Sequence, residues 1–348
     1  MDYKGRYQTF DAGKIKTYPI SERENKVKVA DLIRPEQVLS RDFDVSAEIQ
    51  DKTRMLATEV IQHRKENLPV LLFTGAHLIK NGLGLLLADL VERGLLTCVS
   101  GNMATSIHDF ELAMIGQTSE YVPKALERGQ FGMAYEFAYI NAAMNLGNQY
   151  KLGLGESLGK MIMDEEFRAE VLKAVWRKGA PDQFLYPGNS VLATCYKNNI
   201  PFTIHAGIGT DVTDQHVSFD GEAKGGCSGR DFLIYTREIE KLSKGGMVFN
   251  IGSAVTGPEV FLKAASMTGN IGKTPKNIIT ADFDIRPFHK SHITNESQTG
   301  YYFRDQKSIV VRVPEAYGGK GYYIEGNQKN TFPLFYKYII ELSRDMKK

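Results

Sequence analysis

The stretch Phe73–Gly94, FTGAHLIKNGLGLLLADLVERG, decides the fold class. It follows Pro69-Val-Leu-Leu, so a short apolar run bounded by turn residues passes through a glycine turn into an amphipathic helix from Gly84 to Glu92. A run apolar on both faces is the pattern of a strand covered by helices on either side of a sheet. The unit then repeats. Leu95–Val99 leads to a helix from about Ser106; a helical Asn189–Lys197 leads to Pro201–His205; Arg230–Leu242 leads to Met247–Ile251; Glu259–Ala265 leads to Asn277–Ala281. Alternating helices and strands imply parallel strands joined by right-handed crossovers, hence a doubly wound α/β sheet.

Outside this alternation, residues 1–46 are polar and weakly periodic and read as an N-terminal arm, followed by an amphipathic helix from Ala47. Residues 129–187 hold helical patterns without an obvious strand and read as a helical insertion over the sheet, and Thr331–Arg344 reads as a closing helix. No repeat or linker divides the chain, so a single domain over residues 1–348 is expected.

Composition narrows the function classes. The 348 residues are 42% hydrophobic and 24% charged, with a formal net charge of +2, which gives no basic face for nucleic acid or anionic lipid. A small-molecule substrate fits better. No run is long and apolar enough to span a bilayer, and none resembles a signal peptide. The three cysteines, Cys98, Cys195 and Cys227, form no CxxC pair and read as reduced thiols, so a cytoplasmic location is expected.

In an open parallel sheet ligands bind outside the carboxyl ends of the strands. The segments expected there are Thr74-Gly-Ala-His77, Ser100–Ser106, Ala206–Asp211, Gly252–Gly257 and Thr280–Asp284. Glycines let the backbone approach a ligand, and hydroxyls with helix-start amides can hold a phosphate, although none of the segments matches GxGxxG or the P-loop. Any one of them could be an ordinary turn; five along one edge suggest a pyrophosphate site. Lys80 lacks P-loop spacing and reads as a helix-start residue.

Histidines gather in the same places: His77 and His108 follow the first two strands, while His205 and His216 flank the GIGTD loop. His108 beside Asp109 is the strongest proton-transfer candidate, with Asp109 equally readable as a first-turn carboxylate answering the helix dipole. His205, at a strand end, reads as a satisfied half-buried group. His289 and His292 have helical spacing but no third ligand, so no metal is expected. Lys320, between glycines and tyrosines in Tyr317–Tyr323, could be desolvated into a nucleophilic amine, or be simply solvated.

Four segments in order, Thr74–Gly94, Ser100–Gly116 (SGNMATSIHDFELAMIG), Gly207–His216 (GIGTDVTDQH) and Phe249–Ala264 (FNIGSAVTGPEVFLKA), resemble the deoxyhypusine synthase-like family, most closely its bacterial deoxyhypusine synthase-like branch. The resemblance implies a Rossmann-like fold, a tightly bound NAD and a homotetramer. It puts Thr74, Gly75 and Ala76 in the first NAD loop, Asn102, Met103 and Ala104 in the second, Thr210 and Asp211 in the third, Gly252 and Ser253 in the fourth, and Thr280 and Ala281 near the adenosine. Deoxyhypusine synthases oxidise spermidine with NAD and pass its aminobutyl group through a lysine imine to translation initiation factor 5A. By resemblance, Asp109 matches one carboxylate of the polyamine-binding pair, His108 stands where its glutamate partner would be, and Gly318-Gly-Lys320 matches the Trp-Gly-Lys motif without the tryptophan. The family's histidine after its glycine triplet is replaced around Thr256–Glu259. Polyamine binding needs carboxylates at both ends of a cation chain and an aromatic wall.

The expectation is therefore an NAD-dependent enzyme that oxidises a C–H next to an amine or hydroxyl of a small substrate to an imine or ketone, followed by transfer or elimination. His108 would be the general base, Asp109 would orient it or hold a substrate cation, and Lys320 would be a candidate imine former. The alternatives are a spermidine-using aminobutyl transferase and a non-catalytic NAD-binding regulatory protein.

Overall fold

A computed structural model describes residues 3–344. The first two residues of the expected arm, and residues 345–348, lie outside the described range. Eight strands are present among the described residues: β1 (Asn25–Lys28), β2 (Val70–Thr74), β3 (Cys98–Asn102), β4 (Gln117–Glu120), β5 (Phe202–His205), β6 (Met247–Ile251), β7 (Ile279–Asp284) and β8 (Lys320–Glu325). Six of them form one parallel sheet in the order β5-β3-β2-β6-β7-β8, while β1 and β4 pair as an antiparallel ribbon.

Numbering only the parallel strands along the chain, the order is 3-2-1-4-5-6. That is the Rossmann arrangement, and its direction reverses between β2 and β6. The expected doubly wound α/β class is thus present.

The period-two geometry of the strands explains the two cores. Val70 and Leu72 of β2, Phe249 and Ile251 of β6, and Ala281 and Phe283 of β7 pack toward one face, with the helices Ala47–Lys65, Gly84–Glu92 and Gln328–Ser343. Leu71, Cys98 and Val248 point the other way, against Tyr235 and Ile239 of the helix Gly221–Glu240 and Phe261 of the helix Thr256–Asn270. β2 and β6 are buried at every position, and every residue in them but Thr74 and Asn250 is apolar.

β5 lies at one edge of the sheet. There the Asp231 carboxylate accepts hydrogen bonds from the backbone N–H of Ile204 (2.7 Å) and of Gly155 (2.9 Å), tying the edge to the helix Leu154–Met163. That helix belongs to the segment 129–187, which also contains the helices Phe137–Gln149 and Glu165–Val175.

Three readings of the sequence shift. β3 begins at Cys98 and runs directly into the helix Met103–Ile115, with Asn102 as its N-cap accepting from Thr105 N–H at 3.0 Å. β7 extends to Asp284, so Thr280 and Ala281 lie inside a strand. The segment 1–46 is no simple arm: β1 within it pairs with β4, with Asn25 opposite Glu120 and Val27 opposite Thr118, and Arg23 just before it reaches Glu111.

Candidate functional site

Parallel register levels the carboxyl ends of the strands at Thr74, Gly101, Ile204, Ile251, Phe283 and Ile324. At the reversal point the turns after β2 and β6 touch. Gly75 N–H donates to Ile251 O at 2.9 Å, and a Cβ on Gly75 would lie 2.1 Å from Gly252 O. No side chain other than hydrogen fits there, and Gly252 itself has φ +62°. The side chains beside these glycines are already engaged. Thr74 is fully buried and its hydroxyl donates to Gly75 O (2.9 Å); Ser253 Oγ accepts from Gly257 N–H (2.9 Å). Thr74 therefore has no hydroxyl proton to offer a ligand, and the Gly75 and Gly252 turns offer backbone.

Beside them a cleft of about 660 Å³ lies over the ends of β3 and β5, bounded by Asn102, Ala104, His205, Thr210, Phe232 and Thr256. One wall is the helix Gly221–Glu240, whose Gly225 and Gly229 face the cleft one turn apart. A Cβ on either would meet nothing within 4 Å, so these glycines leave space that the protein does not fill. A glycine inside a helix costs about 1 kcal/mol relative to alanine. His205 forms part of the floor, stacked on Phe73 at 5.6 Å and edge-on to Tyr235 at 5.3 Å, and burial pulls it down to about 3, so it is neutral.

A second cavity, of about 620 Å³, adjoins the first and shares Ala104, Thr210 and Asp211 with it. His108, half-buried on the helix Met103–Ile115, stands in its wall. Thr118 Oγ1 donates its one proton to Glu111 Oε2 (2.5 Å), so the 2.7 Å contact with His108 must be a bond donated by Nδ1–H to Thr118. Arg23 Nη1 lies 2.7 Å from Glu111 Oε1. The series His108–Thr118–Glu111–Arg23 thus fixes the tautomer and leaves Nε2 with its lone pair. Burial pulls His108 down to about 4, opposed by Glu111 and reinforced by Lys80 and Arg23, so the ring is neutral near pH 7. Neutral imidazole with a free Nε2 is a proton acceptor.

Asp109 turns away from this cavity. Its carboxylate accepts from Ser190 Oγ–H (2.5 Å) and from the backbone N–H of Val191 (2.8 Å) and Leu192 (3.0 Å), capping the helix Val191–Lys197. It is fully buried, and burial pushes it up to about 6 against those bonds. Neighbours on a helix point about 100° apart, so His108 and Asp109 serve different surroundings.

Other expected positions also differ. Lys320 is exposed and opens β8 opposite Ile279, four residues before the carboxyl edge. That is about 13 Å from the edge within this chain at 3.3 Å per residue. Thr280 and Ala281 sit mid-strand, fully buried, with the Thr280 hydroxyl donating to Ile309 O (2.5 Å). The loop that does follow β7 begins at Ile285. Met103 is buried in the core. Asp211 meets both cavities but is tied to its own loop, accepting from Gly207 N–H (3.0 Å) and from the fully buried Lys224 (2.8 Å), which also pairs with Asp214. Among the described residues no three His, Cys, Asp or Glu side chains gather as metal ligands, and no helix is long and apolar enough to cross a membrane.

Arg23, Glu111 and Thr118 were missed from sequence. Glu111 was legible, three residues after His108 on the same helical face. Arg23 and Thr118 were not, because only the β1–β4 ribbon brings them there.

No protein-family profile and no curated protein matches the chain. Solved structures share the chain trace at low identity. ArgZ, an arginine dihydrolase from the ornithine–ammonia cycle in cyanobacteria, is 17% identical over 86% of this chain and 32% of its own, with a TM-score of 0.49. AgrE, solved as a ternary complex with ornithine and NAD+, is 13% identical over 88% of this chain and 35% of its own, with a TM-score of 0.47. A protein from Entamoeba histolytica assigned as a deoxyhypusine synthase is 11% identical over 94% of this chain and 97% of its own, with a TM-score of 0.46. The chain spans about a third of ArgZ and AgrE, and at these identities the likeness concerns the fold alone.

Proposed function

We propose that the chain is an NAD-dependent enzyme that oxidises a C–H bond next to an amine or hydroxyl of a small molecule, giving an imine or ketone open to transfer or elimination. The observation that carries this reading is the neutral His108, with its tautomer fixed through Thr118, in a cavity that shares a wall with a cleft at the carboxyl ends of a Rossmann sheet.

The cleft fits a dinucleotide. Gly225 and Gly229 leave a cradle that side chains would fill, and the Gly75 and Gly252 turns at the strand reversal present bare backbone. Asn102, Ala104, Thr210 and Asp211 would border the cofactor, with Gly75, Ala76, Gly252 and Ser253 at the reversal point. Bound there, NAD supplies the acceptor for a hydride. His108 Nε2 takes the proton that leaves the substrate nitrogen or oxygen as its double bond to carbon forms. Thr118 and Glu111 hold the ring in place and stabilise the imidazolium through Nδ1–H.

The first test is purification followed by absorbance and mass analysis for retained NAD, then titration of the stripped protein with NAD. Retention or saturable binding is expected; a protein that neither retains nor binds NAD sinks the reading.

A further inference from the structure

The charges around the His108 cavity are unevenly satisfied. Four carboxylates line it, and each is already engaged by the protein. Glu111 is held by Thr118 and Arg23. Glu120 accepts from Tyr18 Oη–H (2.9 Å) and Gly132 N–H (3.0 Å). Asp211 and Asp214 share the buried Lys224. Of their buried oxygens, Glu111 Oε1, 2.7 Å from Arg23 Nη1, has no hydrogen-bond partner and is the acceptor open to a substrate ammonium.

The cations are less fully engaged. Arg23 has a side chain only 2% exposed, yet after its bonds to Glu111 and Asn25 its Nη2 has no hydrogen-bond partner. Lys80 is half-buried in the same lining, and among the described residues its ammonium makes no hydrogen bond or ion pair. A buried donor left unpaired costs about 1–3 kcal/mol, more when charged, so Arg23 Nη2 marks where a negative ligand is missing, and the partly exposed Lys80 ammonium adds a second positive charge to the same lining.

We infer that this cavity receives a substrate carboxylate beside Arg23 and Lys80, making the substrate a small amino or hydroxy acid rather than a polyamine or a neutral alcohol. The inference rests on reading the His108 cavity as the substrate site. A monoanion is favoured over a phosphate dianion because four carboxylates share the wall, and a second negative charge would meet their repulsion. The apolar part of the lining, Ile107, Val122, Phe131, Phe137 and Val212, leaves room for a short aliphatic chain between the carboxylate and the rest of the cavity.

Matched pairs of probes test this on the full chain, by calorimetry with and without saturating NAD: L-lysine against cadaverine, L-leucine against isoamylamine, and 2-hydroxyisocaproate against isoamyl alcohol. At least one acid is expected to bind at least tenfold more tightly than its partner lacking the carboxylate. Lys80→Met should remove most of that difference, as expected for a charge-assisted bond. Arg23→Lys, which keeps the charge beside Glu111, should weaken the acid about tenfold with the thermal midpoint near wild type. Binding by none of the acids, equal binding within every pair, tighter competition by inorganic phosphate than by the best acid, or an undiminished preference in Lys80→Met would each overturn the inference. NAD binding is read separately in the same cell. Its failure tells against the oxidative reading and leaves the carboxylate site standing.

Discussion

His108 owes its proposed role to a hydroxyl. A threonine has one proton, and Thr118 gives it to Glu111, so His108 must present Nδ1–H to Thr118 and an open Nε2 to the cavity. Thr118→Val should lower kcat at least tenfold and leave KM within about twofold, since the hydroxyl positions the base without lining the cavity. His108→Gln should cost about 10²–10⁴ in kcat, the usual range for a positioned general base, measured as NADH formation. Because burial holds His108 at about 4, the acid limb of kcat/KM in wild type should fall well below the 6.5 of an ordinary histidine. An acid limb at 6–7 that does not move with Thr118→Val would assign the base elsewhere. Asp109 follows a different logic. Asp109→Ala strips the cap from the helix Val191–Lys197 and leaves Ser190 and two amides unpaired, so a loss of about 1–3 kcal/mol in urea denaturation is expected with NAD affinity unchanged.

At the scale of elements, the glycine face of the helix Gly221–Glu240 is the feature with the clearest consequence. A Cβ at Gly229 would have no neighbour within 4 Å outside its own helix turn, so Gly229→Val should fold while weakening NAD binding at least tenfold, read by titration of stripped protein. Gly75→Ala should instead destabilise the fold, because its Cβ would stand inside Gly252 O. The alternation of helices and strands was legible because the buried strands β2 and β6 are apolar at all positions but Thr74 and Asn250 and their helices carry a 3.6-residue period. Strand ends were less so. β7 reads as finished at Ala281 because Asp282 looks like a turn residue, yet its carboxyl is buried and bonded to Asn250 Nδ2–H (2.7 Å), so the strand continues. β8 was hidden for a similar reason: Gly318-Gly-Lys-Gly321 looks like a loop, and only pairing with β7 makes Lys320 a strand residue. The ribbon of β1 and β4 was illegible, since four-residue polar strands carry no period of their own and gain it from a partner about ninety residues away. The site divides along the same line. His108 was visible as a residue type in a promising place, whereas its partners depend on contacts that no local pattern encodes.

For the whole molecule, buried titratable groups set opposing responses to pH. His205 is held at about 3 by burial against an ordinary 6.5, so its unfolded form binds the extra proton in between. Its contribution is complete above pH 6.5 and is lost as pH falls toward 3. Asp231 is pushed up to about 7 by burial from 3.8, so its contribution is complete below pH 4 and is lost as pH rises toward 7. Each slope is at most about 1.4 kcal/mol per pH unit. Urea denaturation at pH 4.5 and pH 7 should therefore separate two variants. The stability gap between wild type and Asp231→Asn should narrow as pH rises, and the gap to His205→Phe should narrow as pH falls. Parallel curves would mean that neither group titrates between these limits.

The two cavities have one partition in common, the loop through Thr210 and Asp211, pinned at its base by Lys224. A shared partition obliges the occupants to be reciprocal: whatever factor by which filling one side alters affinity on the other, the reverse factor is the same, because both are one coupling free energy. A cofactor that stiffens the loop thereby prepares the neighbouring chamber, and a substrate that does so slows the cofactor's escape. Tight retention of a dinucleotide and selectivity for a small acid would then be a single property of one short loop, inherited together and lost together.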